Sequence, residues 1–152
     1  MRSKQLLFQL LALAMLASCQ SVIAQMPTQD SQIQVQIDGL RNNRGQVRCS
    51  LFSSPVGFPK DADKATAHAE SAISDGRALC HFSGVTPGKY AISIFHDENS
   101  NGKLDTNFMG IPREGVGASN NAKGHFGPPT FGAAAFSFAG GPLELKITIY
   151  YL

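Results

Sequence analysis

Three kinds of signal are missing from this chain, and each absence narrows what it can be. There is no Gly-x-Ser-x-Gly elbow, no His-Glu-x-x-His and no phosphate-binding glycine loop, so the common sequence signatures of hydrolases and nucleotide-binding enzymes are excluded. There is no excess of one charge. The chain has 13 basic and 11 acidic residues, and setting aside Arg2 and Lys4 at the N-terminus leaves 11 against 11. A near-neutral body lacks the electrostatic footprint of a nucleic-acid binder. The apolar run Leu6–Ala17 falls short of the roughly 20 residues that cross a bilayer comfortably. Cysteine is also scarce: of three, only Cys49 and Cys80 lie well beyond that N-terminal run.

What is present begins with an export signal. Arg2 and Lys4 precede the apolar run, as an n-region precedes an h-region. Two cleavage readings compete. Val22-Ile23-Ala24 suits an ordinary signal peptidase cutting before Gln25, whereas Leu16-Ala17-Ser18-Cys19 resembles a bacterial lipobox that would lipidate Cys19. The expected organisation is a signal peptide over residues 1–24, a short polar lead over 25–30 and one domain over 31–152. The expected location is periplasmic or secreted, with a lipid-anchored form in the cell envelope as the alternative. In an oxidising compartment Cys49 and Cys80 most simply pair, and two separate buried thiols are the other reading.

The domain reads as β throughout. Ile33, Val35 and Ile37 alternate with polar residues, as do Val47, Cys49 and Leu51, then Ala78, Cys80 and Phe82, then Tyr90, Ile92 and Ile94. Leu143, Leu145, Ile147 and Ile149 close the series. A period of two marks strands with one buried face. Asn42-Asn43-Arg44-Gly45 and Thr86-Pro87-Gly88 are turn signals. Residues 61–72, rich in Ala, Lys and Glu, predict a short peripheral helix, and Ala133–Phe138 a short strand. Residues 106–142 form a long glycine-rich segment whose Phe108, Phe126, Phe131, Phe136 and Phe138 argue that it packs onto the body. The expected fold is an all-β antiparallel sandwich, Ig-like or transthyretin-like.

The most specific stretch is His96-Asp97-Glu98-Asn99-Ser100-Asn101-Gly102-Lys103-Leu104-Asp105. Oxygen-bearing side chains at 97, 99, 101 and 105, with the Lys103 carbonyl and a glycine at 102, follow the front half of a calcium loop. Position twelve of such a loop falls on Phe108 in place of glutamate, so Glu98 or Glu114 would have to complete the shell. A metal-free polar hairpin of Asx turns fits the same residues. Calcium is therefore the one cofactor expected, with weak affinity of roughly 10⁻⁴–10⁻³ M.

Residues Gly84–Asp105, reading GVTPGKYAISIFHDENSNGKLD, and Gly110–Asn121, reading GIPREGVGASNN, resemble in this order the exported bacterial domain-of-unknown-function family 2141. The resemblance covers about residues 31–152. It implies a secreted or periplasmic protein of unassigned activity and carries no catalytic residue over. Pro87-Gly88-Lys89-Tyr90 also resembles, more weakly, the transthyretin-like and carboxypeptidase-regulatory-like sandwiches.

Other chemistries compete for the same residues. His96 with His81 or His125 could hold zinc or copper, against a histidine bonded to a loop carbonyl. Arg113, Glu114, Ser119, Asn120 and Asn121 could form a ligand loop, against packing across one end of the sandwich. The function expected is a non-enzymatic binding or structural module. The alternatives are a small periplasmic metal-dependent hydrolase using His96, Asp97 and Glu114, and a structural envelope module without a small ligand. An envelope protein or small ligand is the expected partner. Nucleic acid is not expected, and a membrane only through a lipidated Cys19.

Overall fold

A computed structural model describes residues 31–152. The expected signal peptide over 1–24, the expected polar lead over 25–30 and Cys19 lie outside the described residues. Eight strands run β1 (Gln32–Asp38), β2 (Gln46–Phe52), β3 (Ala67–Ala72), β4 (Ala78–Ser83), β5 (Gly88–Asp97), β6 (Val116–Ala118), β7 (Phe136–Phe138) and β8 (Pro142–Thr148). They form two sheets. One has the order β4-β1-β8; the other has β3-β2-β5-β6, with β7 paired to the start of β5. The inward residues of both faces build the core: Ile33, Val35 and Ile37 from β1, Val47, Cys49 and Leu51 from β2, Tyr90, Ile92 and Ile94 from β5, and Ile147 from β8. Each was in phase in the sequence, because burying one face of a pleated strand leaves the intervening residues outside.

Cys49 and Cys80 are bonded, with Cα atoms 6.7 Å apart. They come from β2 and β4, so the bond staples one sheet to the other. The closed loop of about 30 residues limits the unfolded chain, which on the loop-entropy argument contributes roughly 3–4 kcal/mol. Both sheets, the core and this bond are built from the described residues.

The sandwich is antiparallel at every pairing except one. β1 pairs β8 in parallel, Gln32 opposite Pro142 through Asp38 opposite Thr148. A parallel pair needs a long crossover, and here the whole intervening chain serves as one. Local composition also misled at two places. Residues 61–72 are not a helix: only Ala62–Lys64 make a 3₁₀ turn, and Ala67–Ala72 are β3. Ala67 and Ala69 turn inward against the core while His68 and Glu70 face out, so pairing with β2 overrides helix propensity. The short helix lies elsewhere, as α1 (Phe131–Ala134), and the predicted strand is confined to Phe136–Phe138. Thr130 caps α1 by accepting the Ala133 N–H.

The glycine-rich segment divides. Phe131 packs on Ala91, Ala118 and Ala134 against the outer face of the larger sheet, and Phe136 and Phe138 pack on the main core. Phe108 and Phe126, expected to pack, are 95% and 108% exposed. Among the described residues no strand or sheet face covers them, and their hydrophobicity alone could not reveal that.

Candidate functional site at the Asp97 rim

β5 carries its inward phase past Ile94 to His96 and ends at Asp97, from which the loop leaves at the rim of the sandwich. The turn before β2 shares that rim, because Gln46 pairs with Asp97. Gly45 adopts φ +66°, and a Cβ there would fall on the Asp97 carbonyl. Only glycine allows this approach.

Asp97 is fully buried. Its Oδ1 accepts the Asn101 N–H at 3.0 Å, and its Oδ2 accepts the Gly102 N–H at 2.9 Å and Arg48 Nε at 2.8 Å. Burial works against the carboxylate, yet Gly102, Arg48 and Asn101 outweigh it and hold the carboxyl below its usual range. The next two loop positions repeat the device. Asn99 Oδ1 accepts the Asn101 N–H at 3.2 Å, and Asn101 Oδ1 accepts the Lys103 N–H at 2.8 Å. Gly102, at φ +78°, lets the chain turn between them. The amide nitrogens of Asn99 and Asn101 then donate to the two oxygens of Asp105, at 2.8 and 3.1 Å. Asn99, Asn101 and Asp105 are thus brought together, with Asp97 directly beneath.

Glu114 completes the loop from a distant segment. It is 4% exposed and accepts the Glu98 N–H and the Asp105 N–H, both at 2.9 Å. Of the two glutamates considered for the missing ligand position, the structure brings Glu114 to the loop and turns Glu98 away. Glu98 pairs with Arg41 and with Arg44 and accepts from the Asn42 amide. Burial opposes its ionisation, but Asn42, Arg41 and Arg44 prevail and draw its carboxyl down to about 2.

His96 is fully buried, and both ring nitrogens are occupied. Nε2 lies 2.7 Å from the Arg44 carbonyl, which can only accept. In the neutral ring Nε2 therefore donates, and Nδ1 accepts from the Tyr151 hydroxyl at 2.8 Å. Tyr151 in turn accepts the Arg41 N–H. His81 and His125 are exposed elsewhere. Among the described residues no three His, Cys, Asp or Glu side chains gather as a metal cluster; the oxygen set at 97–105 depends on its asparagines.

The residues of the expected ligand loop make hydrogen bonds within the protein. Ser119, fully buried, accepts the Ile92 N–H and donates to the Ala134 carbonyl. The Asn120 amide donates to the Ala133 and Ala135 carbonyls, and Asn121 accepts the Thr148 N–H. Arg113 is exposed, and its backbone N–H meets the Asp105 carbonyl.

Sequence reasoning missed Arg48, Arg41, Arg44 and Tyr151, which fasten this rim. Arg48 alternates with Val47 and Cys49, which places it on the outer side of its strand. Its meeting with Asp97 depends on the β2–β5 register, which only the fold sets.

Comparison with known proteins agrees with this picture as far as it reaches. No curated protein and no solved structure matches the chain. Residues 35–146 match the family described as "Uncharacterized protein conserved in bacteria", domain of unknown function 2141. That span contains all of the rim except its C-terminal Tyr151, and with it the chain belongs to this family.

Proposed function

We propose that the protein is an exported, non-enzymatic β-sandwich that serves the cell envelope as a binding or structural module, with a weak calcium site at 97–105. One observation carries the non-catalytic part. His96, Asp97 and Glu114, the residues a hydrolase would use, are each engaged by protein hydrogen bonds that brace the rim. They act as framework for the loop.

The calcium part rests on the convergence of Asn99, Asn101 and Asp105 above Asp97, with the Lys103 carbonyl two residues before Asp105. A cation facing Asp105 would meet the amide nitrogens of Asn99 and Asn101. Binding requires these amides to turn their oxygens inward and give up their bonds to Asp105. That cost is why the affinity is weak, in the roughly 10⁻⁴–10⁻³ M range of extracellular modules.

Calorimetric titration of residues 31–152 with calcium tests this. At tenfold excess over the dissociation constant, linkage gives about 1.4 kcal/mol of stabilisation, seen as a rise in melting temperature. Asp105→Ala should abolish both the heat and the rise. No heat and no rise at 10 mM calcium (roughly ten times the weak limit) would remove calcium and leave the structural reading. Mass spectrometry of the mature N-terminus decides between a start at Gln25 and a lipidated Cys19.

A further inference from the structure

The chain leaves the calcium loop at Asp105 and enters a tight turn. Thr106 bridges Pro112 at its base, and the Arg113 N–H meets the Asp105 carbonyl just below. At its tip Phe108 is 95% exposed, Met109 64% and Ile111 39%. Three large apolar side chains presented together on one turn are unusual for a surface bathed only in water.

The turn is ordered from within. Asn107 Oδ1 accepts the N–H groups of both Met109 and Ile111, at 2.9 and 3.0 Å. The Asn107 N–H donates to the Ile111 carbonyl, and the Gly110 N–H donates to the Asn107 carbonyl. Pro112 has no N–H. Across residues 107–112, Phe108 alone has a backbone donor without an assigned partner in the turn. Donors satisfied within the turn lower the cost of moving it from water into a bilayer interface.

The charges around the turn are sorted. The carboxylates of Asp97, Glu98, Asp105 and Glu114 all accept hydrogen bonds from protein donors. Lys103 and Arg113, which flank the turn in sequence, are exposed, and neither pairs with a carboxylate among the described residues. An apolar tip between two uncommitted cations suits a surface of hydrocarbon beneath anionic headgroups.

We propose that the 106–112 turn is a membrane-contact element: Phe108, Met109 and Ile111 enter the interface of an anionic bilayer while Lys103 and Arg113 meet its headgroups. This contact is independent of lipidation at Cys19, and the turn's hydrogen bonds need no calcium.

The chain contains no tryptophan, so Phe108→Trp in residues 31–152 supplies a single fluorescent reporter. With vesicles of mixed phosphatidylglycerol and phosphatidylcholine, in EDTA, its emission shifts to the blue and the protein co-sediments. With phosphatidylcholine alone the binding is weaker. Phe108→Ser with Met109→Ser lowers partitioning by roughly tenfold or more, from the apolar area lost, while circular dichroism and the melting temperature show the fold intact. Lys103→Glu with Arg113→Glu removes the preference for anionic vesicles. Absence of any blue shift or co-sedimentation would overturn the proposal and assign the turn to a protein partner. Vesicle binding undiminished by the double serine change would overturn it equally, because some other surface would then be responsible.

Discussion

The segments 97–105 and 106–112 are neighbours in the chain, built with the same device and left in opposite conditions. In each, an Asp or Asn side chain accepts backbone N–H groups a few residues ahead: Asp97 from Asn101 and Gly102, Asn107 from Met109 and Ile111. In the first segment the Asn99 and Asn101 side chains bond to Asp105, Asp97 also bonds to Arg48, and the backbone N–H groups of Glu98 and Asp105 donate to Glu114. In the second, Phe108, Met109 and Ile111 are apolar, and among the described residues they stay exposed. An ordered loop is therefore poor grounds for assigning chemistry. The bonding capacity left over is the better guide, and here it lies in the apolar turn and its flanking cations.

The largest effect is expected where the polar segment depends on a single residue. Glu114→Ala leaves the N–H groups of Glu98 and Asp105 without their acceptor at a buried site. Unsatisfied buried donors of this kind cost roughly 2–4 kcal/mol in total. Urea denaturation of residues 31–152 should show the midpoint fall accordingly. A loss below about 1 kcal/mol, the net worth of one ordinary hydrogen bond, would mean that the loop does not rely on Glu114, and the contrast between the segments would fail.

Acid should unfasten the same rim by a smaller amount. The Glu98 carboxyl lies at about 2 in the fold, against an ordinary 4.5. A depressed carboxylate contributes stability that is complete above its unfolded value and disappears as pH falls through its folded value. The window is thus from about pH 4.5 down to about pH 2. The Arg41 and Arg44 side chains are 48% and 72% exposed, so solvent screens the pairs and about 2 kcal/mol is a fair magnitude. Denaturation at stepped pH in EDTA measures it. Glu98→Gln should flatten that part of the profile, and an unchanged slope would show that other groups set it.

The fold was largely legible in the sequence because its cause is local. Alternation at Ile33-Val35-Ile37, at Val47-Cys49-Leu51 and at Tyr90-Ile92-Ile94 follows from one buried face per strand, and the cysteines shared that phase. Residues 67–72 were not legible, since alanines fit a helix and an edge strand alike, and pairing with β2 decides. The composition of the candidate site could be read, but its wiring could not. Asp97 meets Arg48 because strands distant in sequence pair in one register, and Glu114 closes the loop from across the next turn. Exposure of Phe108 was least readable of all: an aromatic residue in a glycine-rich segment signals packing equally well whether its partner is this protein or another surface.

That ambiguity gives the smallest stability prediction and the sharpest one. A phenylalanine that packs onto its own domain costs about 3–5 kcal/mol to truncate. Phe108 at 95% exposure and Met109 at 64% have no such contacts to lose, and the Asn107 bonds that shape the turn involve only backbone at 109 and 111. Phe108→Ser with Met109→Ser should therefore change the unfolding free energy by no more than about 0.5 kcal/mol, the ordinary range for surface substitutions. Paired urea titrations of parent and variant measure the difference. A cost several times larger would mean that these side chains are buried in the native protein in solution. The apolar turn would then be a second packed segment like the polar loop, and its side chains would have no surface left to offer a bilayer.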